Sequence, residues 1–386
     1  MNIKITTRTE KSLDGNHAVA EALRQINPDV FGFYPITPTS YIGESFSKAV
    51  ANGDVETEYV CAESEHAAMS ICVGAAAAGG RAVSATASQG LILMAEVLWN
   101  ASGMRLPIVA INGNRALSAP LSIHCSHDDA YAIRDAGWIQ LFAENPQEAY
   151  DLTLCAFSIA EAKNVRTPLM MGMDCFLTTH TTVKVQLESD KDVQKFIGDI
   201  VPGNSLFDLK NPKSFGTFAK PDTYQEFKYA QLQGQLNALE RAETVFSDFE
   251  KKFGRLGGGL VTKEGNGKLA VVCLGAIAGT VREIVKNRDD IALVRPRMFR
   301  PFPVKVLQEQ LKDFDQILVL DRNSQCGAQF APLAMEIKAL GLKGEVKNVV
   351  FGLGSRETNA DDIEEFINNF EKLPSDMPSW CNLRGE

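Results

Sequence analysis

Phe31-Gly32-Phe33-Tyr34-Pro35-Ile36-Thr37-Pro38-Thr39-Ser40 passes from an apolar run into a polar, turn-rich segment where a helix would begin. Phe31 to Tyr34 reads as a buried strand, and Thr39 or Ser40 is placed to cap the helix that follows. The same grammar recurs downstream. Pro107 to Ile111 reads as a second buried strand, and Asn114-Arg115-Ala116-Leu117-Ser118-Ala119-Pro120 follows it. Strand, polar turn and helix in that order build open α/β sheets, whose ligand sites lie in the crevice outside the carboxyl ends of the strands. The first segment offers hydroxyls and a helix N-terminus, and the second offers a guanidinium. Together they can hold a small anion such as a carboxylate.

Working outward, Glu65 to Ala78 is Ala-rich and reads as a helix stopped by Gly79-Gly80. Ala82 to Ala87 is a small-residue strand, and Ser88-Gln89-Gly90 turns into a helix through Trp99. Trp138 to Phe142 and Pro168 to Met173 are further strands. Between them Asn145-Pro146-Gln147-Glu148 opens a helix with a capping residue, a proline at the first position and an early acid. The rhythm is lost over residues 181 to about 220, where Pro202-Gly203, Pro212 and Pro221 punctuate a polar excursion over the surface or onto a partner. A long charged helix, about Tyr224 to Lys252, comes next, then a glycine-rich stretch from Gly254 to Gly267 that reads as a flexible loop or linker. From Lys268 strands at Leu269–Leu274, Ala292–Val294, Ile317–Leu320 and Val346–Phe351 alternate with helices near Thr280, Val304, Gln329 and Ala360. The expected class is α/β, with parallel sheets flanked by helices. The expected units are 1–252 (181–252 being its excursion and long helix), a linker at 253–267, and 268–386.

The chain has 386 residues, 45% hydrophobic and 23% charged, the balance of a globular protein. Its net charge of −9 argues against a surface that neutralises nucleic-acid phosphates. Cys61, Cys72, Cys125, Cys155, Cys175, Cys273, Cys326 and Cys381 stand singly, so spacing predicts neither a zinc site nor an iron–sulfur cluster. They read as small core residues of a reducing compartment. The segment from Met1-Asn2-Ile3-Lys4 lacks the apolar run of a signal peptide, and no stretch approaches the ~20 apolar residues of a membrane span. A cytoplasmic protein with no membrane partner is expected.

Each chemistry-bearing segment has a plain reading beside the functional one. Glu63-Ser64-Glu65-His66 opens a helix, where acids complement the dipole, or it presents a carboxyl to a nitrogen heterocycle in a crevice. His66 alone reads as structural. Arg115 has no acid near it in sequence and reads as a surface arginine, or as a guanidinium shaped for bidentate carboxylate recognition. His124-Cys125-Ser126-His127-Asp128-Asp129 invites a metal reading, but a polar loop at the mouth of the site is preferred. Gly275-Ala276-Ile277-Ala278-Gly279 is a weak likeness of a phosphate-binding turn, since it lacks GxGxxG or GxxxxGK[ST]; Gly257-Gly258-Gly259 lies in the linker.

Taken in order, Tyr34-Pro35-Ile36-Thr37-Pro38, Glu63-Ser64-Glu65-His66-Ala67-Ala68, Thr86-Ala87-Ser88-Gln89-Gly90 and Asn114 to Pro120 resemble the α subunits of the pyruvate:ferredoxin oxidoreductase family. So do Glu226-Phe227-Lys228-Tyr229-Ala230-Gln231, Arg297 to Pro303, Leu320-Asp321-Arg322-Asn323 and Phe351-Gly352-Leu353-Gly354-Ser355-Arg356, so the likeness runs from about residue 15 to about residue 370. The resemblance implies a pyrimidine-binding domain followed by a transketolase C-terminal-like domain. It also implies oxidative decarboxylation of a 2-oxoacid on thiamine diphosphate, electrons passed through 4Fe-4S clusters to ferredoxin, and an acyl group delivered to coenzyme A. In split members of the family, partner subunits of β, γ and δ type carry the magnesium-diphosphate site and the clusters. That agrees with the absence here of a GDG-type motif and of cluster cysteines.

Residue by residue, the resemblance implies that Glu65 hydrogen-bonds the pyrimidine N1′, favouring the tautomer whose exocyclic nitrogen takes the thiazolium proton. Pro35 and Ile36 line the cofactor, and Thr37 and Arg115 bind the substrate carboxylate and adjacent carbonyl. An arginine in place of Thr37 would point to oxalate, so threonine favours pyruvate. The loop His124 to Asp129 departs from the family pattern, which leaves 2-oxoglutarate, branched-chain 2-oxoacids and oxalate open. A non-catalytic anion-binding scaffold of the same fold is the reading from another class.

Overall fold

The computed structural model describes residues 8–200 and 203–385; Met1 to Lys4 and Pro202, singled out above, lie outside them. Strand β1 (Thr9–Leu13) leads into helix α1 (Gly15–Ile26), whose first turn is closed by Asp14 accepting from the His17 amide. β2 (Val30–Phe33) delivers the chain to the Tyr34–Thr39 turn and α2 (Ser40–Asn52). Then come β3 (Glu58–Cys61), α3 (Glu65–Ala78), β4 (Ala82–Thr86), α4 (Ser88–Leu93), α5 (Ala95–Gly103) and β5 (Val109–Asn114). A loop at 115–127 precedes α6 (Asp128–Ala132), β6 (Ile139–Ala143), α7 (Pro146–Ala160) and β7 (Leu169–Asp174). Asn145 caps α7 as its chemistry demands, accepting from the Glu148 amide, with Pro146 in the first turn. Nearly all of α7 is buried, so it packs on every side, with its buried acids Glu148 and Asp151 paired to arginines.

The chain continues through β8 (Val183–Leu187), α8 (Asp190–Ile197) and α9 (Tyr224–Phe253). The second unit holds β9 (Val261–Gly265), β10 (Leu269–Cys273), α10 (Ile277–Lys286), β11 (Ile291–Pro296), β12 (Met298–Arg300) and α11 (Val304–Leu311). It closes with β13 (Gln316–Asp321), α12 (Pro332–Lys338), β14 (Glu345–Val350), α13 (Ala360–Asn368) and β15 (Ser379–Trp380).

A seven-stranded sheet has the order β12-β6-β7-β5-β4-β2-β3, and a six-stranded sheet the order β15-β14-β13-β10-β11-β9. Both are parallel except for one antiparallel edge each, β12 on β6 and β9 on β11. Alternation along the strands divides the apolar side chains between layers. Val109 and Ile111 of β5 enter the main core, while Ala110 faces a second cluster with Trp138, Leu91 and Leu98. In β10, Ala270 and Val272 join the same main core and Val271 and Cys273 face a third cluster against α10 and α13. The main core is therefore shared by both sheets. Their junction is fixed by a buried Glu148, which accepts from Arg295 at 2.8 and 2.9 Å and from Arg297 Nε at 2.7 Å. Burial alone would push the Glu148 carboxyl up, but the two guanidiniums hold it down at about 2.

Five expectations are corrected. Residues 183–197 are not part of a structureless excursion: Val183-Lys184-Val185-Gln186-Leu187 alternates, buries Val185 and Leu187, and pairs antiparallel with β1. The stretch 254–267 is not a free linker. It contains β9, and Arg297 Nη1 donates to the carbonyls of Gly257 at 2.9 Å and Gly259 at 2.6 Å. The helix after Ser88 breaks at Met94 into α4 and α5. Thr39 precedes α2 without capping it, because its hydroxyl donates to the Ile36 carbonyl at 3.1 Å. Of the cysteines, Cys61 and Cys326 are exposed and not core residues. Among the described residues no helix is long and apolar enough to cross a membrane.

Candidate functional site

β3, β2, β4, β5 and β7 run parallel and adjacent, so the turns leaving their carboxyl ends open on one edge of the sheet. Tyr34–Thr39, Ala62–Ser64, Ala87 and the 115–127 loop all start there. Pro35 and Thr37 are exposed on this edge and Ile36 is half-buried.

Glu65 is the first residue of α3 and is buried, whereas Glu63, its rival in the sequence, is exposed. Ser64 makes the helix cap, accepting from the Ala67 amide at 3.2 Å, which leaves Glu65 free of that duty. Among the described residues no donor reaches the Glu65 carboxylate. A methyl group at Gly90 would sit 2.6 Å from Glu65 Oε1, so glycine is what leaves room over the carboxylate. His66 faces solvent beside Glu96 at 3.9 Å, an exposed pair of little consequence.

Arg115 is 7% exposed and not a surface arginine. Its Nη1 donates to the Thr37 carbonyl at 2.9 Å and its Nε to the Ser122 carbonyl at 3.2 Å. Nη2 has no protein acceptor among the described residues, so one charged donor remains for a ligand. The structure thus gathers Thr37, Glu65 and Arg115 on one edge of the sheet. Beneath them Asp129, fully buried, accepts from the amides of Ser88 at 2.8 Å, Arg115 at 3.1 Å and Ala130 at 2.7 Å, and from Asn112 Nδ2 at 3.1 Å. Burial pushes its carboxyl up to about 6 against the pull of these donors.

The His124–Asp129 loop is only half a mouth. Leu121, Ile123 and His124 are exposed, while Cys125, Ser126, His127 and Asp129 are buried. His127 Nε2 lies 2.8 Å from Asp174 Oδ1, and Arg322 Nε lies 3.4 Å from Asp174 Oδ2. Cys125 could join His127 and Asp174 around a metal, since their ligand atoms lie within 4.8 Å of one another. The arginine and imidazole already on the carboxylate make an ion pair the better description. Burial raises the Asp174 carboxyl, but His127 and Arg322 pull harder and hold it below the usual carboxylate range. The same carboxylate fills the glycine turn of the second unit. The Ala276 amide donates to it at 3.1 Å, and a methyl at Gly275 would meet it at 2.5 Å. The phosphate-like turn therefore receives an acid of its own chain. A separate cavity of about 440 Å³ lies between Arg255, Arg282, Arg295 and Arg297, yet carboxylates of Asp151, Glu188, Glu144, Glu264 and Glu148 take up these guanidiniums.

A family model described as pyruvate flavodoxin/ferredoxin oxidoreductase, thiamine diphosphate-binding, matches residues 21–247, and one described as pyruvate:ferredoxin oxidoreductase core domain II matches 267–363. Pyruvate synthase subunit PorA of Methanocaldococcus jannaschii is 40% identical over 385 residues, 97% of this chain and 98% of its own. The PorA subunit of Thermotoga maritima is 40% identical over 386 residues with the same coverage. Ketoisovalerate oxidoreductase subunit VorA of Pyrococcus abyssi is 35% identical, covering 94% of each chain. A solved 2-oxoglutarate:ferredoxin oxidoreductase from Magnetococcus marinus, with 2-oxoglutarate, coenzyme A and succinyl-CoA bound, superposes with a TM-score of 0.71 at 18% identity. It covers 94% of this chain, which spans 65% of that one, and the likeness speaks to the fold. With one model spanning more than half of its length and relatives matching nearly all of it, the chain belongs to the pyruvate:ferredoxin oxidoreductase family.

Proposed function

We propose that this chain is the α-type subunit of a pyruvate synthase. In assembly it turns pyruvate and coenzyme A into acetyl-CoA and CO2 with reduction of ferredoxin, reversibly. The observation that carries the reading is the buried Glu65 carboxylate without a partner, on the same sheet edge as the Arg115–Thr37 contact. These residues fit the pyrimidine end of thiamine diphosphate: Glu65 supplies the carboxyl, Gly90 the space over it, and Pro35 and Ile36 the lining. When bound, that cofactor supplies the carbon nucleophile and the electron sink that decarboxylation of a 2-oxoacid requires.

The chain's own part is protonic and electrostatic. Glu65 holds a proton at the pyrimidine N1′, its carboxyl placed for that by the first turn of α3. Arg115 Nη2 takes a carboxylate oxygen of the substrate, while Nη1 and Nε, tied to main-chain carbonyls, stop the guanidinium from following a misplaced ligand. The Thr37 hydroxyl adds a neutral hydrogen bond beside it. In this reading 1–252 is the pyrimidine-binding unit and 268–386 the transketolase C-terminal-like unit. Magnesium on the diphosphate and the 4Fe-4S clusters belong to β-, γ- and δ-type subunits in the cytoplasm. The exposed Tyr41, Leu93, Leu121 and Ile123, on elements framing the crevice, suit such a partner.

A second reading is the same chemistry on a branched-chain 2-oxoacid, favoured by the VorA relative. Ferredoxin reduction by the assembled complex across pyruvate, 2-oxoglutarate, branched-chain 2-oxoacids and oxalate separates the two. Highest kcat/KM on pyruvate is expected. Turnover of none of these acids with thiamine diphosphate bound would leave only an anion-binding scaffold.

A further inference from the structure

We infer that Asp129 is a positioning residue for the reaction: one buried carboxylate holds the segment that grips the substrate in register with the segment that leaves room over Glu65. The inference rests on the reading of Arg115 as the carboxylate ligand. Asp129 stands in α6, and an acid serving only that short helix would bond its own amides. Here just one of four donors, the Ala130 amide, belongs to α6. Oδ2 alone collects the Ser88 amide from the turn after β4, the Arg115 amide from the end of β5, and the Asn112 side chain from within β5. Ser88 is the residue that most needs holding. It has a φ of 51°, a left-handed backbone that a non-glycine keeps only where its surroundings over-determine it. A second stitch joins the same two segments, for Ser88 Oγ lies 2.5 Å from the Ala116 carbonyl. Two residues beyond Ser88, Gly90 meets Glu65; one residue before Ala116 stands Arg115.

All four contacts require an acceptor. An asparagine, or a protonated aspartic acid, turns a donor toward at least one of these amides: toward that of Ala130 when the remaining oxygen keeps Ser88 and Arg115, and α6 must then shift against both segments. Burial brings protonation within reach by pushing the carboxyl up to about 6. The charged and titratable groups around it are Arg115, Cys175 after β7, and its chain neighbours His127 and Asp128, of which His127 is engaged by Asp174.

The test uses the assembled complex, with Asp129→Asn and Arg115→Ala compared with wild type for pyruvate-dependent ferredoxin reduction across pH 5 to 8. Wild-type kcat/KM should fall on the acid side with a midpoint near 6. Asp129→Asn should raise the KM and lower kcat, together about ten- to a hundredfold in kcat/KM, and should lose that acid limb while the complex remains assembled. A flat wild-type profile down to pH 5 overturns the inference even if the variant fails to fold. So does an Asp129→Asn enzyme whose activity falls only in proportion to the complex lost. If Arg115→Ala leaves the KM for pyruvate unchanged, the carboxylate reading itself fails. If Arg115→Ala raises the KM while Asp129→Asn changes neither constant, only the role of Asp129 falls.

Discussion

Arg115 reaches across 78 positions of sequence to donate through Nη1 to the main-chain carbonyl of Thr37 at 2.9 Å. The contact uses the backbone of Thr37, so its hydroxyl is left for other work, and it survives any substitution of the Thr37 side chain. The two positions can therefore be tested separately.

Arg115→Ala is expected to raise the KM for pyruvate about ten- to a hundredfold, because a charge-assisted hydrogen bond contributes about 1.5–3 kcal/mol. Thr37→Ala should do less, since it removes a neutral hydroxyl and keeps the carbonyl that orients Arg115. Steady-state kinetics on the assembled complex decide it. An unchanged KM in Arg115→Ala would sink the carboxylate assignment.

Glu65→Gln should lower kcat by roughly 10²–10⁴-fold, the usual loss for a positioned acid–base group, with the complex still assembled. The amide keeps the shape but cannot hold and release the same proton. Near-normal turnover that still requires thiamine diphosphate would move the role elsewhere, Glu63 being too exposed to share it.

Gly90→Ala tests the space above that carboxylate. The new methyl would lie 2.6–2.8 Å from Glu65 side-chain atoms, and the flexible side chain must yield. Activity should drop strongly while the thermal midpoint changes little. Equal losses of both would mean that Gly90 serves packing and not the site.

Glu148 predicts the acid behaviour of the junction between the two sheets. Its folded value of about 2 lies below the usual 4.5, so the stability it contributes is complete above about pH 4.5 and is lost as pH falls toward 2. The amount is roughly 3 kcal/mol. Glu148→Gln leaves the buried Arg297 without a carboxylate and Arg295 with Glu144 alone, at about 3–5 kcal/mol. Its thermal midpoint at pH 7 should fall by several degrees, and the gap from wild type should narrow below pH 4. A constant gap across that range would contradict the linkage.

The purified chain alone should contain no iron, oxidise no pyruvate and bind thiamine diphosphate weakly, as expected of one side of a shared site. Metal analysis, calorimetry and reconstitution with the cluster-bearing partner check this in turn. Stoichiometric iron, or turnover by this polypeptide by itself, would overturn the division of labour.

Where apolar runs were long and bounded, the sequence was readable. Helix α3 falls on Glu65–Ala78, where Ser64 and Gly79 bracket it, and α9 ends one residue beyond Lys252. What escaped was short and antiparallel. Val183–Leu187 and Val261–Gly265 each bury few side chains and draw stability from distant partners, β1 and β11, that no local pattern announces. At the site, Arg115, Thr37 and Glu65 are nominated by the family resemblance and not by residue type, and the burial of Arg115 is not legible at all, because the carbonyls that hold it belong to other segments. Asp129 was visible only as part of a polar run. Three of its four donors come together because β4 and β5 lie side by side, a fact of topology.

Strand β12 has a consequence for how the molecule is made. Met298–Arg300 lies beyond most of the second unit's first strands, yet it covers β6 at the rim of the first unit's sheet. A ribosome that has just completed β7 has not yet supplied it. At ~5–20 residues per second the nascent chain then carries a bare β6 edge for on the order of ten seconds. Unpaired edges template pairing with other chains. A stop codon placed after α9 would make that interval permanent, so the amino-terminal unit should be recovered from cells as aggregate unless Met298–Arg300 is supplied with it.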